Sequence, residues 1–135
     1  MLERDYIMRL IRQFFEALEK LIESRNKKEP ATIQAEFGQM YTAYFGKPDT
    51  FFYGRSADEI LNFLRETYNP QEFLSRVEML ADLIYYHGTI KTEETERKMF
   101  FRKSLALLEY LDAHSDTFSF ERRRKISDIR KQTDQ

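Results

Sequence analysis

The chain has 135 residues, the length of one domain, and its 41% hydrophobic and 15% aromatic content is enough to build a core and excludes a disordered chain. The 22 basic and 23 acidic residues nearly cancel, which excludes an overall field that attracts nucleic acid or anionic lipid. No cysteine is present, so disulfides, thiolate nucleophiles and cysteine-ligated zinc are excluded.

Hydrophobicity along the chain argues against a signal peptide and a membrane span. Charged residues follow Met1 closely, and the longest stretch without charge is residues 37–46. A membrane-spanning helix needs about 20 apolar residues, so we expect no membrane partner. The sequence therefore predicts a cytoplasmic protein.

A long first helix is predicted over residues 3–26. Apolar residues recur there at three- and four-residue spacing: Ile7, Leu10, Ile11, Phe14, Leu18, Leu21 and Ile22. This apolar stripe is wider than one neighbouring helix can cover, which permits a homodimer.

Turn and capping residues divide the rest of the chain. Pro30 and Gly46 bound a second helix, and Ser56 with Glu59 forms a capping box that opens a third. Asn69-Pro70 ends that helix and opens another, which runs to Gly88. We further expect Thr92 to cap a fifth helix and Thr117 or Ser119 to cap a last one, with fraying from Gln132 onward.

No motif predicts a catalytic, cofactor or metal site. His87 and His114 fit neither the HExxH motif nor the Glu-x-x-His motif of di-iron bundles. We interpret His87 as a helix-end residue that interacts with the helix dipole, with a ligand or general base as the alternative.

One basic cluster lies near the C-terminus, in a segment with a net charge of +3 over residues 118–135. Phe118 and Phe120 lie beside it and suit base stacking. The candidate anion or nucleic-acid patch is Arg122, Arg123, Arg124, Lys125 and Arg130.

Aromatic residues supply the candidate partner-binding residues. Phe51, Phe52 and Tyr53 lie between two predicted helices, where they either plug the core or form a recognition patch. Neighbouring aromatics on a helix diverge by about 100°, so one of each pair can face a second surface. The candidates are Phe52, Tyr53, Tyr86, His87, Phe100 and Arg102.

Three stretches carry a family resemblance: DYIMRLI at residues 5–11, LADLIYYHG at 80–88, and KSLALLEYL at 103–111 followed by TFSFER at 117–122. The first and the last of these resemble the start and the closing helix pair of an uncharacterised bacterial family, a domain of unknown function with tetratricopeptide-like helices. Residues 80–88 resemble the first helix of a tetratricopeptide repeat, whose glycine allows close helix packing. The resemblance implies a fold and a protein-binding surface but no activity.

These patterns together predict a single all-α domain over residues 1–135, with five to six antiparallel helices. We expect either a tetratricopeptide-like α-α superhelix or an irregular helical bundle. The function that we predict is a non-enzymatic protein-interaction or scaffold module that binds a protein or peptide. The alternative is a nucleic-acid-associated or regulatory protein that uses the basic C-terminal helix.

Overall fold

The protein is all-α in a computed structural model that describes residues 2–133, and this range contains no strand. Its helices are α1 (Leu2–Ser24), α2 (Pro30–Phe45), α3 (Asp49–Tyr53), α4 (Ala57–Thr67), α5 (Pro70–Thr89), α6 (Glu94–His114) and α7 (Phe120–Thr133). They form two compact units: unit 1, Met1–Gly54, contains α1–α3, and unit 2, Arg55–Gln135, contains α4–α7. The single domain remains a prediction.

The described range holds seven helices rather than five or six, because residues 49–53 form the short helix α3 instead of a loop. Pro48 is extended and leads directly into it. The Asp49 carboxylate then accepts hydrogen bonds from the Thr50 backbone N–H at 2.9 Å and from the Tyr53 hydroxyl at 2.8 Å. These bonds tie the first turn to the last residue of the helix.

The core of unit 1 is built from aromatic rings. Phe14 of α1 is fully buried and meets Tyr44 of α2 edge to face, with ring centroids 5.0 Å apart. Phe52 of α3 is only 1% exposed and packs against Tyr41 and Phe45. The α3 segment therefore closes this core through Phe52.

Most of the predicted helix ends are confirmed. In the capping box, the Glu59 backbone N–H donates to the Ser56 hydroxyl and the Ser56 N–H donates to the Glu59 carboxylate. The Asn69 side chain caps α5, and Pro30 occupies the first turn of α2. Gly46 ends α2 with a φ of 71°, a left-handed conformation that glycine adopts without strain.

Two other predicted ends differ. Glu93, not Thr92, caps α6, because its longer side chain accepts hydrogen bonds from the N–H groups of Thr95 and Glu96 at 3.1 and 2.8 Å. The last helix does not fray at residue 132. It continues to Thr133, whose hydroxyl donates to the Ile129 carbonyl, and the predicted fraying of residues 134–135 lies outside the described range.

Small residues bring α5 and α6 together in unit 2. The Ser104 hydroxyl donates to the Ala81 carbonyl at 2.8 Å, and both residues are buried. Further along α5, a Cβ placed on Gly88 would lie 3.0 Å from Phe100 Cβ and 3.1 Å from the Phe101 ring. The two helices run antiparallel, and glycine at position 88 permits a close approach of α6 at this point.

Gly88→Ala is therefore expected to destabilise unit 2. Alanine gains about 1 kcal/mol of helix propensity over glycine. Overpacking a tight site typically costs about 1–3 kcal/mol, and Phe100 Cβ cannot move without shifting α6. We expect a net decrease in the free energy of unfolding, measured in urea with circular dichroism as the probe. Gly54→Ala is the control, since no atom lies within 4 Å of its added Cβ; a Gly88→Ala chain as stable as wild type would refute the close packing.

Candidate functional site

An open groove of about 650 Å³ lies in unit 2 beside the first half of α6. One wall is completed by the start of α4. Its lining residues, apolar and charged, are Ala57, Glu93, Thr95, Glu96, Met99, Arg102, Lys103 and Ala106. We call this surface the α6 groove.

The helical repeat places most of these residues on one side of α6. Thr95, Met99, Arg102 and Ala106 follow one another at three- and four-residue steps, which align them along the helix axis. The opposite sides of α6 are buried through Phe100, Phe101, Ser104, Leu107, Leu108 and Leu111. Met99 remains 37% exposed, so the groove presents an apolar side chain to solvent.

Acidic and basic groups lie at opposite ends of the groove. At the N-terminal end, hydrogen bonds from the Glu96 and Thr95 backbone lower the pKa of Glu93. Glu96 lies 3.9 Å from Lys91, a loose ion pair. At the other end, partial burial lowers the pKa of Lys103, although the nearby Glu59 carboxylate opposes that shift. Among the lining residues, the acidic side chains therefore lie toward the N-terminal end of α6 and the basic side chains farther along it.

The capping carboxylates make the stability of unit 2 dependent on acid pH. Hydrogen bonds from the Ser56 backbone and hydroxyl lower the pKa of Glu59, as the α6 cap lowers the pKa of Glu93. A carboxylate with a lowered folded pKa stabilises the fold fully above its unfolded value of about 4.3. That stabilisation is lost as the pH falls through the folded pKa. Glu93→Gln is expected to flatten the acid limb of a stability–pH profile; an unchanged profile would contradict the cap.

Three of the six candidate partner-binding residues belong to the core instead of the surface. Phe52, His87 and Phe100 are buried. His87 lies edge-on to the Phe100 ring, with centroids 4.9 Å apart, and α5 continues two residues beyond it to Thr89. His87 therefore lies in the last turn of α5, as predicted, and its buried ring packs against Phe100. In this fold these three side chains are not available to a partner.

The other three candidates lie on three different helices, one in unit 1 and two in unit 2. Tyr53 is half-buried in unit 1 and donates to Asp49. Tyr86 is half-buried on α5, with the Lys125 ammonium 5.1 Å from its ring centroid. Arg102 is exposed and lines the α6 groove, while one of its N–H groups approaches the Thr133 carbonyl at 3.4 Å.

Four of the five residues in the basic cluster are paired with carboxylates within unit 2. Asp112 receives both Arg122, at 3.2 Å, and Arg123. Lys125 meets Asp82 at 3.0 Å, and Arg130 pairs with Glu109. Arg122 and Lys125 are also buried, so both residues attach α7 to its neighbours.

Two exposed aromatic rings lie at the start of α7, one just before the helix and one on its first residue. Phe118 is 67% exposed and Phe120 is 82% exposed, and their rings meet edge to face at 4.8 Å. Ser119, between them, caps the helix by accepting from the Arg122 backbone N–H, which selects it over Thr117. This exposed pair is a second surface at which unit 2 can make contacts.

Sequence reasoning selected only Arg102 among the groove residues. Met99 was overlooked because it lies within a run of apolar residues that otherwise face the core. Its spacing from Thr95 and Arg102, on the polar side of the helix, is the signal that identifies this face. Ala57 is brought to the groove by the packing of α4, and no local pattern reveals it.

No family model matches this sequence, and no curated protein or solved structure matches it either. None of the helices within residues 2–133 is long and apolar enough to cross a membrane. Over the same range, the chain has no group of three or more His, Asp or Glu side chains placed to hold a metal ion.

Proposed function

We propose that the protein is a non-enzymatic protein-interaction module and that it binds its partner through the α6 groove. The observation that carries this proposal is the exposure of Met99 between charged residues in an open concavity. Methionine is flexible and polarisable and is used widely at surfaces that accept partner side chains. Charged groups on either side of it supply specificity and orientation.

The size of the groove supports a peptide-sized ligand. Its volume of about 650 Å³ falls within the range of concave binding sites, about 300–1,000 Å³. An amphipathic helix bound in an apolar groove is a common mode of peptide recognition. A helical segment of a protein partner is the ligand that we propose for the groove.

We also propose a tetratricopeptide-like arrangement of α5 and α6, with α7 beginning the next pair. The antiparallel packing around Gly88 and the buried Ser104–Ala81 hydrogen bond support this proposal. The helices α5 and α6 have 20 and 21 residues, together more than the 34 residues of a standard tetratricopeptide repeat. The pair therefore resembles such a repeat without matching its length. We also propose that the chain is a member of the uncharacterised bacterial family.

The proposal predicts that Met99→Glu abolishes the capture of a specific protein partner. Wild-type, Met99→Glu and Met8→Glu chains would be used as baits in one lysate, at low and high salt, with quantification of bound proteins. Met8 is the matched control because it is also an exposed methionine on a helix, in unit 1. A partner retained by wild type and Met8→Glu but lost by Met99→Glu supports the groove. Equal capture by all three chains would refute it.

The second candidate is a nucleic-acid-associated function, and the exposed Phe118–Phe120 pair favours it. Rings of this kind stack on bases, and Arg123 and Arg124 lie within one turn of Phe120. It ranks second because most of the cluster is already paired with carboxylates. A nucleic-acid-associated function predicts that captures of this kind contain nucleic acid that high salt releases. This nucleic acid would be lost with Phe120→Ala but would be unaffected by Met99→Glu.

A further inference from the structure

We infer that the ligand of the α6 groove is a helical peptide that lies antiparallel to α6, with an acidic residue near its N-terminal end and a basic residue about seven positions later. The inference rests on the proposed function and names the class of partner that the groove takes. It is argued from the order of charges along the groove and from the geometry of two packed helices.

The charges on α6 fix the spacing of the charges on the ligand. Glu96 precedes Arg102 and Lys103 by six and seven residues, a separation of about 9–10.5 Å along a helix that rises about 1.5 Å per residue. A second helix that runs alongside must place its complementary charges at the same separation. On such a helix, residues seven positions apart also return to the same face.

Met99 determines which type of residue the ligand needs between its two charged residues. It comes three residues after Glu96 and three before Arg102, at the middle of the charged stretch. With the two alanines that line the groove, it leaves room for the side chain of a larger apolar residue. On the ligand, the third and fourth positions after the acidic residue face this point, so we expect leucine-like side chains there.

The helix dipole selects the direction of the ligand. The ligand's acidic residue must meet Arg102 and Lys103, and its basic residue must meet Glu96 and Glu93. In the antiparallel orientation the acidic residue is near the ligand's own N-terminus and the basic residue near its C-terminus. Each charge then interacts favourably with the ligand's dipole, whereas a parallel ligand would place both against it.

Two synthetic peptides with the same composition test the inference. Each is a capped alanine-rich helix of about 16 residues, because shorter isolated helices are marginal in water. The forward peptide carries Glu, then two leucines, then Lys at the seventh position after Glu; the reversed peptide exchanges Glu and Lys. Binding of each labelled peptide to the full chain is measured by fluorescence anisotropy at low salt.

We expect the forward peptide to bind about tenfold more tightly than the reversed peptide, a difference that shrinks as salt screens the charges. Arg102→Gln should reduce this preference, while Arg124→Gln, an exposed arginine outside the groove, should leave it unchanged. Arg102 is exposed on the helix surface, so its replacement is not expected to unfold the chain.

Equal affinities for the two peptides, or no binding of either one, would overturn the inference. Its failure can be distinguished from failure of the proposed function. If both peptides fail while Met99→Glu still abolishes capture of a protein partner that Met8→Glu retains, the groove binds a partner of other chemistry. If the peptides fail and the two methionine variants behave alike, both proposals are wrong.

Discussion

Replacing Lys125 with methionine is expected to destabilise unit 2 by about 3–5 kcal/mol, the usual cost of leaving one member of a buried ion pair without its partner. Lys125 of α7 and Asp82 of α5 are 3.0 Å apart, and only about a tenth of each side chain is exposed. Methionine keeps most of the length of the lysine side chain, so the loss of stability reflects mainly the removal of the charge. The stranded group is the Asp82 carboxylate.

The surroundings of Lys125 favour its charged form. Burial by itself lowers the pKa of Lys125, but the Asp82 carboxylate and the Tyr86 hydroxyl outweigh that effect and raise it. The ammonium also lies 5.1 Å from the centroid of the Tyr86 ring, within cation–π range. Lys125 is therefore charged at neutral pH and attaches α7 to α5 electrostatically.

A double variant separates the charge from the packing. Asp82→Leu combined with Lys125→Met removes both charges, and buried ion pairs replaced by apolar residues often leave stability within about 1 kcal/mol of wild type or raise it. A double-mutant cycle compares the urea unfolding of the wild type, the two single variants and the double variant. If Lys125→Met costs less than about 1 kcal/mol, the pair is not buried as described here.

Phe14→Ala is expected to cost about 3–5 kcal/mol in unit 1, the range for truncating a buried phenylalanine. Its ring is fully buried and makes edge-to-face contacts with Phe15, Tyr44 and Phe45. Deleting the ring leaves a cavity and also removes aromatic pairs that are worth about 0.5–1.5 kcal/mol each beyond their buried area.

Circular dichroism during urea unfolding measures the effect of Phe14→Ala. The matched control is Phe120→Ala, the same change at a ring that is 82% exposed, where we expect a shift within about 0.5 kcal/mol. A loss of stability below about 1 kcal/mol at Phe14, or similar losses at both positions, would mean that Phe14 does not lie in the core of unit 1.

Local patterns predicted the helix ends because each end depends on a few neighbouring residues. The Ser56–Glu59 box, the Asn69 cap and the Gly46 stop involve hydrogen bonds and backbone angles within one turn. The exception, Glu93 in place of Thr92, also has a local cause, since the Glu93 side chain accepts from the N–H groups of Thr95 and Glu96 within the same turn. The short helix α3 was missed because five residues are too few to display a helical period.

Contacts between helices could not be predicted from periodicity. The sequence showed a cluster of basic residues in the last helix, but only the packing of α7 brings Asp82, Glu109 and Asp112 to them. In the same way, His87 is buried because Gly88 allows Phe100 to approach. The α6 groove depends on where α4 begins relative to α6, which is also a tertiary relation.

Site-specific photo-crosslinking is the most direct test of the groove as a protein-binding surface. A benzophenone amino acid would replace Met99 in one chain and Met8 in another, and both would be irradiated in the same lysate. The account predicts a discrete protein adduct from position 99 that is absent from position 8 and is suppressed by Arg102→Gln. No adduct at position 99 beyond those at position 8 would contradict it.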